Sequence, residues 1–536
     1  MTPQNPFPES IEITFSSVSV NENIMADEIT IICRGYIINE GNILVEQELH
    51  QFITQKYKEN WLLGNVKELN GIFQIVVITP NEVVVINDRY GFYPLFYTEK
   101  SNRVIISQNF RKLCNGIHYN SDALTDMCDL GYVMGKETLL EGVNEFSPHA
   151  ISRITRKKEK ITVDESSYWQ MQHLFGSGKI RTYEEQFVEL WNTVIGNYTR
   201  FLKKNEGICY LPLSGGLDSR LLAYELDKKA IPMHLMSLGH SEENYDIKAA
   251  LKVASLLKNK QGHFLQYNAS QMFARVLSTP EHANRITCGY LSELFFYYFE
   301  NIIDHTHFFM PGHSGDFLTG SHLRNRMRKW KSVDEVIDYI LRFKSTRLAK
   351  QLNTEKLKER LTENISMDEG AINGFIRWDM ENRQRRYIVR SCITEDRSDY
   401  LLLLPYFDNR LMDFFLSLPF ELLLNQRLFV NCNLKYLYKD NPAMIQIERD
   451  RRKLRKIRNG YWAEYYPKAK GIIRDKMGLK QKRLDFWSTE VEWQKYIDFS
   501  QLSSVSGIDF DKFQLDQLNF SFLYNINQLN AEIETL

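Results

Sequence analysis

The sequence predicts a two-part α/β protein, and two patterns carry that reading. The first 170 or so residues hold short runs rich in Ile, Val and Phe separated by turn residues, as an antiparallel β region would. From residue 208 onward, apolar runs alternate with helix-like stretches, the pattern of βαβ units around a parallel sheet.

In the first part the clearest strands are residues 29–35, 71–78 and 83–87. The run Val83-Val84-Val85-Ile86 is too apolar for a sheet wetted on one side, so it predicts cover on both faces. Phe175-Gly176-Ser177-Gly178-Lys179 reads as a linker between the two parts. Thr182, with Glu185 three residues on, reads as a capping box opening a helix. Phe187, Leu190, Trp191, Val194, Ile195 and Tyr198 continue that helix at helical spacing. Next come an apolar run at 208–213, a helix at 219–229, a run at 233–238, a helix at 245–257 and a run at 263–267. Beyond residue 325 the pattern is mostly helical, with no internal repeat.

The chain has 536 residues, enough for several cores, and its 67 basic and 67 acidic side chains cancel. A net charge of +0 argues against a chain-wide electrostatic grip on nucleic acid or an anionic membrane. The seven cysteines (33, 114, 128, 209, 288, 392 and 432) are odd in number, scattered and without a CxxC pair. They predict a reducing compartment rather than a disulfide framework or a zinc site. The opening MTPQNPFPES lacks a signal-peptide pattern, and the apolar stretch 400–424 contains Asp408, Asn409, Arg410, Asp413 and Glu421, so it is no membrane span. The expectation is a cytoplasmic globular protein.

The sharpest motif is Leu213-Ser214-Gly215-Gly216-Leu217-Asp218-Ser219, between the first strand and first helix of the alternation. Two glycines let backbone N–H groups approach a polyanion, and the helix that follows aims its positive end at the same point. Ser214 and Ser219 add hydroxyl donors. Asp218 would repel phosphate unless Mg²⁺ lies between them, and Mg²⁺ commonly takes one or two carboxylates plus phosphate oxygens. A strand-to-helix turn in which glycine is merely convenient is the plain alternative. The loop resembles the signature of ATP-pyrophosphatases, which cleave ATP to AMP and pyrophosphate.

Three further segments resemble the asparagine synthetase-like family. Asp246-Ile247-Lys248-Ala249-Ala250, followed by Val253-Ala254 and His263, is similar to the second helix of its synthetase domain. Gly312-His313-Ser314-Gly315-Asp316, closed by Gly320, stands where the family carries Gly-Glu-Gly-(Ser/Ala)-Asp. Pro405-Tyr406-Phe407-Asp408 and the later Leu418-Pro419 resemble its Pro-Phe-Leu-Asp segment and Leu-Pro. Upstream, Asn87 to Tyr97 and Gly131 to Pro148 resemble the class II glutamine amidotransferase domain. The resemblance implies an N-terminal Ntn-hydrolase-like β-sandwich with flanking helices over residues 1–172, and an ATP-pyrophosphatase domain over 182–536 with a Rossmann-like parallel sheet and a large helical part. It implies ATP at residues 213–219 with Ser237, Gly239 and Gly312, and Mg²⁺ on Asp218 and Asp316.

The sequence also departs from the family. Position 2 is Thr where glutamine-dependent members expose a Cys nucleophile, and the first cysteine is Cys33, inside an apparent strand. The oxyanion-hole segment appears as Arg34-Gly35-Tyr36-Ile37-Ile38-Asn39, with Arg in place of the Asn donor. Losing one such donor costs on the order of 10²–10³ in rate, and losing the nucleophile costs more. The N-terminal domain is therefore expected to be a retained scaffold without glutaminase activity.

An amidotransferase fold without its Cys resembles β-lactam synthetases and lasso-peptide cyclases, which adenylate a carboxylate and let an amine within the substrate attack it. His313 occupies the slot that holds Glu in asparagine synthetases and Tyr in β-lactam synthetases; a general base there is one reading, a loop hydrogen bond or phosphate contact the other. The carboxylate that partners this slot in β-lactam synthetases falls on Leu401. Glu395, Asp396 and Asp399 are near but out of register.

The basic cluster Arg449, Arg451, Arg452, Lys453, Arg455, Lys456 and Arg458 admits three readings: a solvated face, an RNA patch, or a lid whose lysine neutralises the leaving pyrophosphate. Lys453 and Lys456 are equal candidates for that lysine. Arg324 to Lys331 is a second basic stretch that would suit a polyanionic substrate.

The implied activity is an AMP-forming amide ligase. Its substrates rank from a ribosomal peptide closed into a macrolactam, through a surface-glycan carboxylate or another specialised metabolite, to ammonia-dependent asparagine synthesis. A small-molecule or peptide carboxylate is the expected partner, with a partner protein delivering substrate or ammonia. A tRNA-modifying pyrophosphatase-loop enzyme and a silent scaffold are the alternatives of other classes.

Overall fold

The computed structural model describes residues 10–14, 18–20, 24–25, 29–100, 103–113, 118–157, 160–239, 245–266, 286–288, 308–345, 354–390 and 401–458. Side-chain detail is lacking at some of these, residues 451–458 among them.

The N-terminal part is built from β1 (Ile11–Thr14), β2 (Val18–Val20), β3 (Ile24–Met25), β4 (Thr30–Asn39), β5 (Asn42–Val45), α1 (Glu46–Lys58), β6 (Gly71–Ile78), β7 (Glu82–Asn87), β8 (Phe96–Lys100), β9 (Arg103–Ser107), α2 (Ser121–Leu130), β10 (Val143–Glu145), β11 (Ala150–Lys157) and β12 (Lys160–Ser167). They form two six-stranded sheets, ordered β10-β8-β9-β1-β2-β3 and β12-β11-β7-β6-β4-β5. Every pairing within them is antiparallel.

The central strands of the second sheet are covered on both faces, as the unbroken run at 83–86 predicted. Val83 and Val85 pack with Ile11, Ile13 and Tyr97 of the first sheet, which makes a sandwich. Val84 and Ile86 point the other way, into a cluster with Leu49 and Ile53 of α1.

The second part follows with α3 (Ile180–Lys204), β13 (Cys209–Pro212), α4 (Asp218–Lys228), β14 (Met233–Gly239), α5 (Tyr245–Ala254), β15 (Lys260–Gln266), β16 (Phe308–Phe309) and β17 (Leu401–Leu402). Its sheet is parallel throughout, in the order β15-β14-β13-β16-β17. Chain order runs outward from β13 through β14 to β15, then resumes on the far side of β13 with β16. The sheet thus reverses direction between β13 and β16, and ligands of such sheets bind at the carboxyl ends of the strands flanking that reversal. The predicted strand–helix alternation from 208 to 267 is present with ends shifted by a few residues. The described chain beyond residue 325 is largely helical.

Two local expectations fail. The helix α3 begins at Ile180 with Lys179 as its flanking residue and no side-chain cap, so Thr182 is an interior first-turn residue and Glu185 pairs instead with Arg181 at 2.9 Å. Thr182 did look like a cap, but Ile180 and Arg181 extend the helix past it. The Gly/Ser segment is also no loose linker. Leu174 and Gly176 donate backbone hydrogen bonds to Leu416 and Ser417, and a Cβ on Gly176 would sit 2.6 Å from the Ser417 carbonyl. Glycine is needed there for close approach rather than for freedom.

The two parts share one apolar core, in which Tyr36, Ile38, Ile43 and Tyr90 of the sandwich join residues around the parallel sheet. A tyrosine pair stitches the seam: Tyr36 and Tyr198 hydroxyls lie 3.0 Å apart, the Tyr36 oxygen accepts from the Leu404 N–H, and the Tyr198 hydroxyl donates to the Leu404 carbonyl. Arg89 pairs with Asp413 at 2.6 Å across the same seam. Among the described residues no helix is long and apolar enough to cross a membrane.

Candidate active site

The predicted phosphate loop occupies the reversal point. It leaves β13, turns through Ser214, Gly215 and Gly216, and enters α4 at Asp218, so the first N–H groups of that helix face the carboxyl edge of the sheet. The loop braces itself. The Gly216 N–H donates to Ser214 Oγ at 3.0 Å, the Ser214 N–H donates to Ser219 Oγ at 3.2 Å, and the two hydroxyl oxygens lie 3.3 Å apart. Ser214 is exposed, while Leu213, Leu217, Asp218 and Ser219 are buried. Ser237 Oγ donates to the Leu213 carbonyl at 2.7 Å, and Gly239 ends β14 at the same edge of the sheet.

The second loop arrives from the neighbouring strand β16. Glycine is required twice in it, because a Cβ on Gly312 would stand 2.7 Å from the Ser219 backbone N, and one on Gly315 2.9 Å from the Asp218 carboxyl carbon. The two loops therefore touch backbone to backbone, which brings residues about 95 positions apart in sequence to one place. Between the glycines, Ser314 holds a left-handed φ of 55° and donates its hydroxyl to Gln384 Oε1 at 2.8 Å. Asp316 is exposed; its oxygens accept from the Phe317 N–H at 2.8 Å and Ser321 Oγ at 2.9 Å. A third motif closes the back, where the Tyr406 hydroxyl donates to the Asp218 carbonyl at 3.0 Å.

His313 lies between the glycines, half-buried. Burial pushes its imidazole down to about 4, against the opposing pull of Asp316, so the ring is neutral near pH 7. That neutrality agrees with a proton acceptor, but the base is weaker than the ordinary imidazole on which the sequence reading relied. Lys453 and Lys456 fall on the helix Pro442–Arg458, and their side chains lie outside the described residues, as do Glu395, Asp396 and Asp399.

Sequence reasoning missed what holds that helix in place. Arg220, the residue after Ser219, pairs with Glu448 at 2.7 Å, both side chains 1% exposed. The pair ties the helix carrying the basic cluster directly to the phosphate loop. Its only sequence signal was an Arg following Asp-Ser, with nothing to name a partner 228 residues away.

In the sandwich, the position of the expected oxyanion hole is filled. Arg34 donates from Nε and Nη2 to Gln74 Oε1 at 3.0 and 2.7 Å and from Nη2 to the Pro94 carbonyl at 2.9 Å, with Tyr93 stacked on its guanidinium. Gln74 in turn donates to Asn87 Oδ1 and to the Tyr93 carbonyl. Burial pushes the neighbouring Cys33 thiol up to about 12, which leaves no thiolate near neutral pH.

Comparison with known proteins now gives these sites a family. Residues 208–458 match the asparagine synthase family model, and residues 51–169 match that of the glutamine amidotransferase domain. Residues 208–458 are thus similar to asparagine synthases, and the amidotransferase match does not include the Arg34 segment. A curated relative, the glutamine-hydrolysing asparagine synthetase 2 of Bacillus subtilis strain 168, is 25% identical over 219 residues, covering 37% of this chain but only 29% of its own length. Among solved structures, the NMN synthetase of Francisella tularensis overlaps 27% of this chain and 59% of its own at 17% identity and a TM-score of 0.18. The glutamine phosphoribosylpyrophosphate amidotransferase of B. subtilis overlaps 58% and 71% at 9% identity and a TM-score of 0.19. Both overlaps are too slight to bear on function.

Proposed function

We propose that the chain is an ATP-dependent, AMP-forming carbon–nitrogen ligase without glutaminase activity of its own. The observation that supports this is the contact of the two glycine loops at the sheet reversal, Gly312 against Ser219 and Gly315 against Asp218. In the reaction a substrate carboxylate oxygen attacks the α-phosphorus of ATP and pyrophosphate leaves. An amine then attacks the acyl carbon, AMP leaves with the bonding pair, and the amine gives up a proton.

The chain's residues divide that work. The N–H groups of residues 214–219 bind the polyphosphate at the positive end of α4. Two carboxylates on touching loops suit Mg²⁺, which is commonly held by one or two carboxylates together with phosphate oxygens rather than by an all-protein cage. Bound there, Mg²⁺ would supply charge neutralisation at the pyrophosphate. His313 is the proposed proton acceptor; phosphate oxygens beside the ring raise its basicity, which is the direction that role needs. Lys453 and Lys456, on the helix tied to α4 by Arg220–Glu448, are the proposed cations for the leaving group.

The filled oxyanion position and the protonated Cys33 support an amine that is not released from glutamine in this domain. With His313 in the slot of an acidic or tyrosine side chain, a peptide carboxylate closed into a macrolactam stands first. A glycan carboxylate or another specialised metabolite follows, and ammonia-dependent asparagine formation comes third. A partner protein would deliver substrate or ammonia.

The test is carboxylate-dependent exchange of labelled pyrophosphate into ATP, across peptides, uronic acids and aspartate. Exchange with one carboxylate that falls at least about 10³-fold in Asp218→Asn would establish adenylation and name the acyl donor. Silence with every carboxylate, together with no calorimetric binding of Mg-ATP, would end the ligase reading.

A further inference from the structure

Three guanidiniums meet one carboxylate at the seam between the sandwich and the parallel-sheet part. Glu145, on β10, lies 2.8 Å from Arg386 Nη2 and 3.7 Å from Arg385 Nη2, and is also bonded to Arg390. None of these four side chains is more than 3% exposed. Carbonyl groups take part of the remaining donor capacity. Arg390 donates to Gly91 at 2.7 Å, Arg386 to Gly135 at 2.8 Å and to Val133, and Arg385 to Gly135 at 3.3 Å.

Among the described residues, five nitrogens of the trio have no acceptor: Nε and Nη1 of Arg385, Nε of Arg386, and Nε and Nη1 of Arg390. Among the described residues, three other carboxylates of this region have cationic or histidine partners of their own. Asp126 is bound by Arg360 at 2.6 Å, Asp379 by Lys344 at 2.7 Å, and Glu381 contacts His149 at 3.0 Å. Against Glu145 alone the trio carries an excess of two positive charges, with Glu381 acting on Arg385 and Asp126 on Arg386 from further off. Burial and mutual repulsion push Arg385 down to about 9, a sign that its charge is poorly compensated. A guanidinium stays protonated at neutral pH, and buried charges and buried donors are ordinarily paired.

We propose that this seam is a second ligand site, which takes a compact oxyanion among Arg385, Arg386 and Arg390. On each guanidinium Nη2 is already engaged, and the donors left over, Nε and Nη1, lie on opposite edges, so an oxyanion would be held by single N–H groups from different arginines rather than by a two-point fork. The oxyanion comes either from solution as inorganic phosphate or from a substrate as its second carboxylate. The site lies one residue along the chain from Gln384, which holds Ser314 of the second loop, so an occupant reaches the candidate active site through one short stretch of helix. The proposal stands on the charge and geometry of the seam and does not depend on the ligase reading.

The test is calorimetric titration of the full chain with inorganic phosphate and, separately, acetate at constant ionic strength, in wild type, Arg385→Met and Glu145→Gln. Removing Arg385 is expected to weaken binding tenfold or more, and removing the competing Glu145 carboxylate to tighten it by a similar factor. Phosphate alone obeying both variants supports the free ion, and acetate obeying them as well supports a substrate carboxylate. Binding that ignores both variants belongs to the phosphate loop and overturns the proposal, as does no binding at all. Bromide-soaked wild-type crystals give a readout free of any folding defect. An anomalous peak beside the three guanidiniums supports the site, and none there overturns it.

Discussion

The two halves treat their polar residues in opposite ways. In the sandwich, Arg34, Gln74 and Asn87 hydrogen-bond to one another and to the carbonyls of Tyr93 and Pro94, so these polar groups are turned on the protein itself. At the reversal of the parallel sheet, Ser214 and Asp316 are exposed on glycine loops that brace each other through backbone contact. The difference between the two halves shows in where the hydrogen bonds go rather than in the fold. Substitutions in the two halves should separate accordingly, with Asp218→Asn abolishing pyrophosphate exchange at one extreme.

The next largest effect is expected at the Arg220–Glu448 pair. Glu448→Ala leaves a guanidinium buried without its carboxylate, which typically costs about 3–5 kcal/mol. Chemical denaturation should show that loss, while Glu448→Gln, which keeps a hydrogen-bond acceptor, should lose less. Equal stability of both variants and wild type would mean that the helix Pro442–Arg458 is not anchored through this pair.

The segment joining the halves should be sensitive to acid. His173 is buried, and burial pushes its imidazole from an ordinary value near 6.5 down to about 4. The folded state therefore resists protonation that the unfolded chain accepts. Stability is complete above pH 6.5 and falls as pH drops towards 4, by up to about 3 kcal/mol from this one group. His173→Phe, which can keep the stack on Phe175, should flatten that part of the pH–stability profile. An unchanged slope would place the acid sensitivity elsewhere, with His322, held well below its ordinary value by burial, the next group to replace.

Gly312→Ala tests whether the loop contact matters for rate. Its Cβ meets the Ser219 backbone, which has no side-chain freedom with which to yield, so the loops must part. A displacement of around 1 Å commonly costs on the order of 10²-fold in turnover, with a smaller change in melting temperature. Full activity in this variant would show that the loops need not touch.

What could be read from the sequence was local. Gly215, Gly216 and Asp218 sit within four consecutive positions at a strand-to-helix junction, so spacing alone pointed to the loop. Gly312 and Asp316 needed a family pattern, because two glycines and an acid with intervening residues say little unaided. Contacts distant in sequence were not legible: Arg220 with Glu448, Ser314 with Gln384, and the three arginines around Glu145 depend on which helix packs where. Gly176 shows the opposite error. Its composition suggested slack, but the chain uses the missing Cβ to press against Ser417.

The smallest expected effect is the most telling for the comparison. Arg34→Met removes the hydrogen bonds to Gln74 and the Pro94 carbonyl and a stacked cation, and strands Gln74 Oε1 without its donor. A stability loss of about 1–3 kcal/mol follows if the lost acceptor bond dominates, and the melting temperature should fall accordingly. Pyrophosphate exchange per folded molecule should not change, because the hydrogen bonds of that network run to Gln74, Asn87, Tyr93 and Pro94 within the sandwich. Nor should glutaminase activity appear, since burial, the cause that raises the Cys33 thiol, does not depend on a charge at position 34. Reduced exchange in a folded Arg34→Met protein would mean that the sandwich communicates with the synthetase loops through the Tyr36–Tyr198 seam. The closed-off half would then be a working part of the enzyme rather than its support.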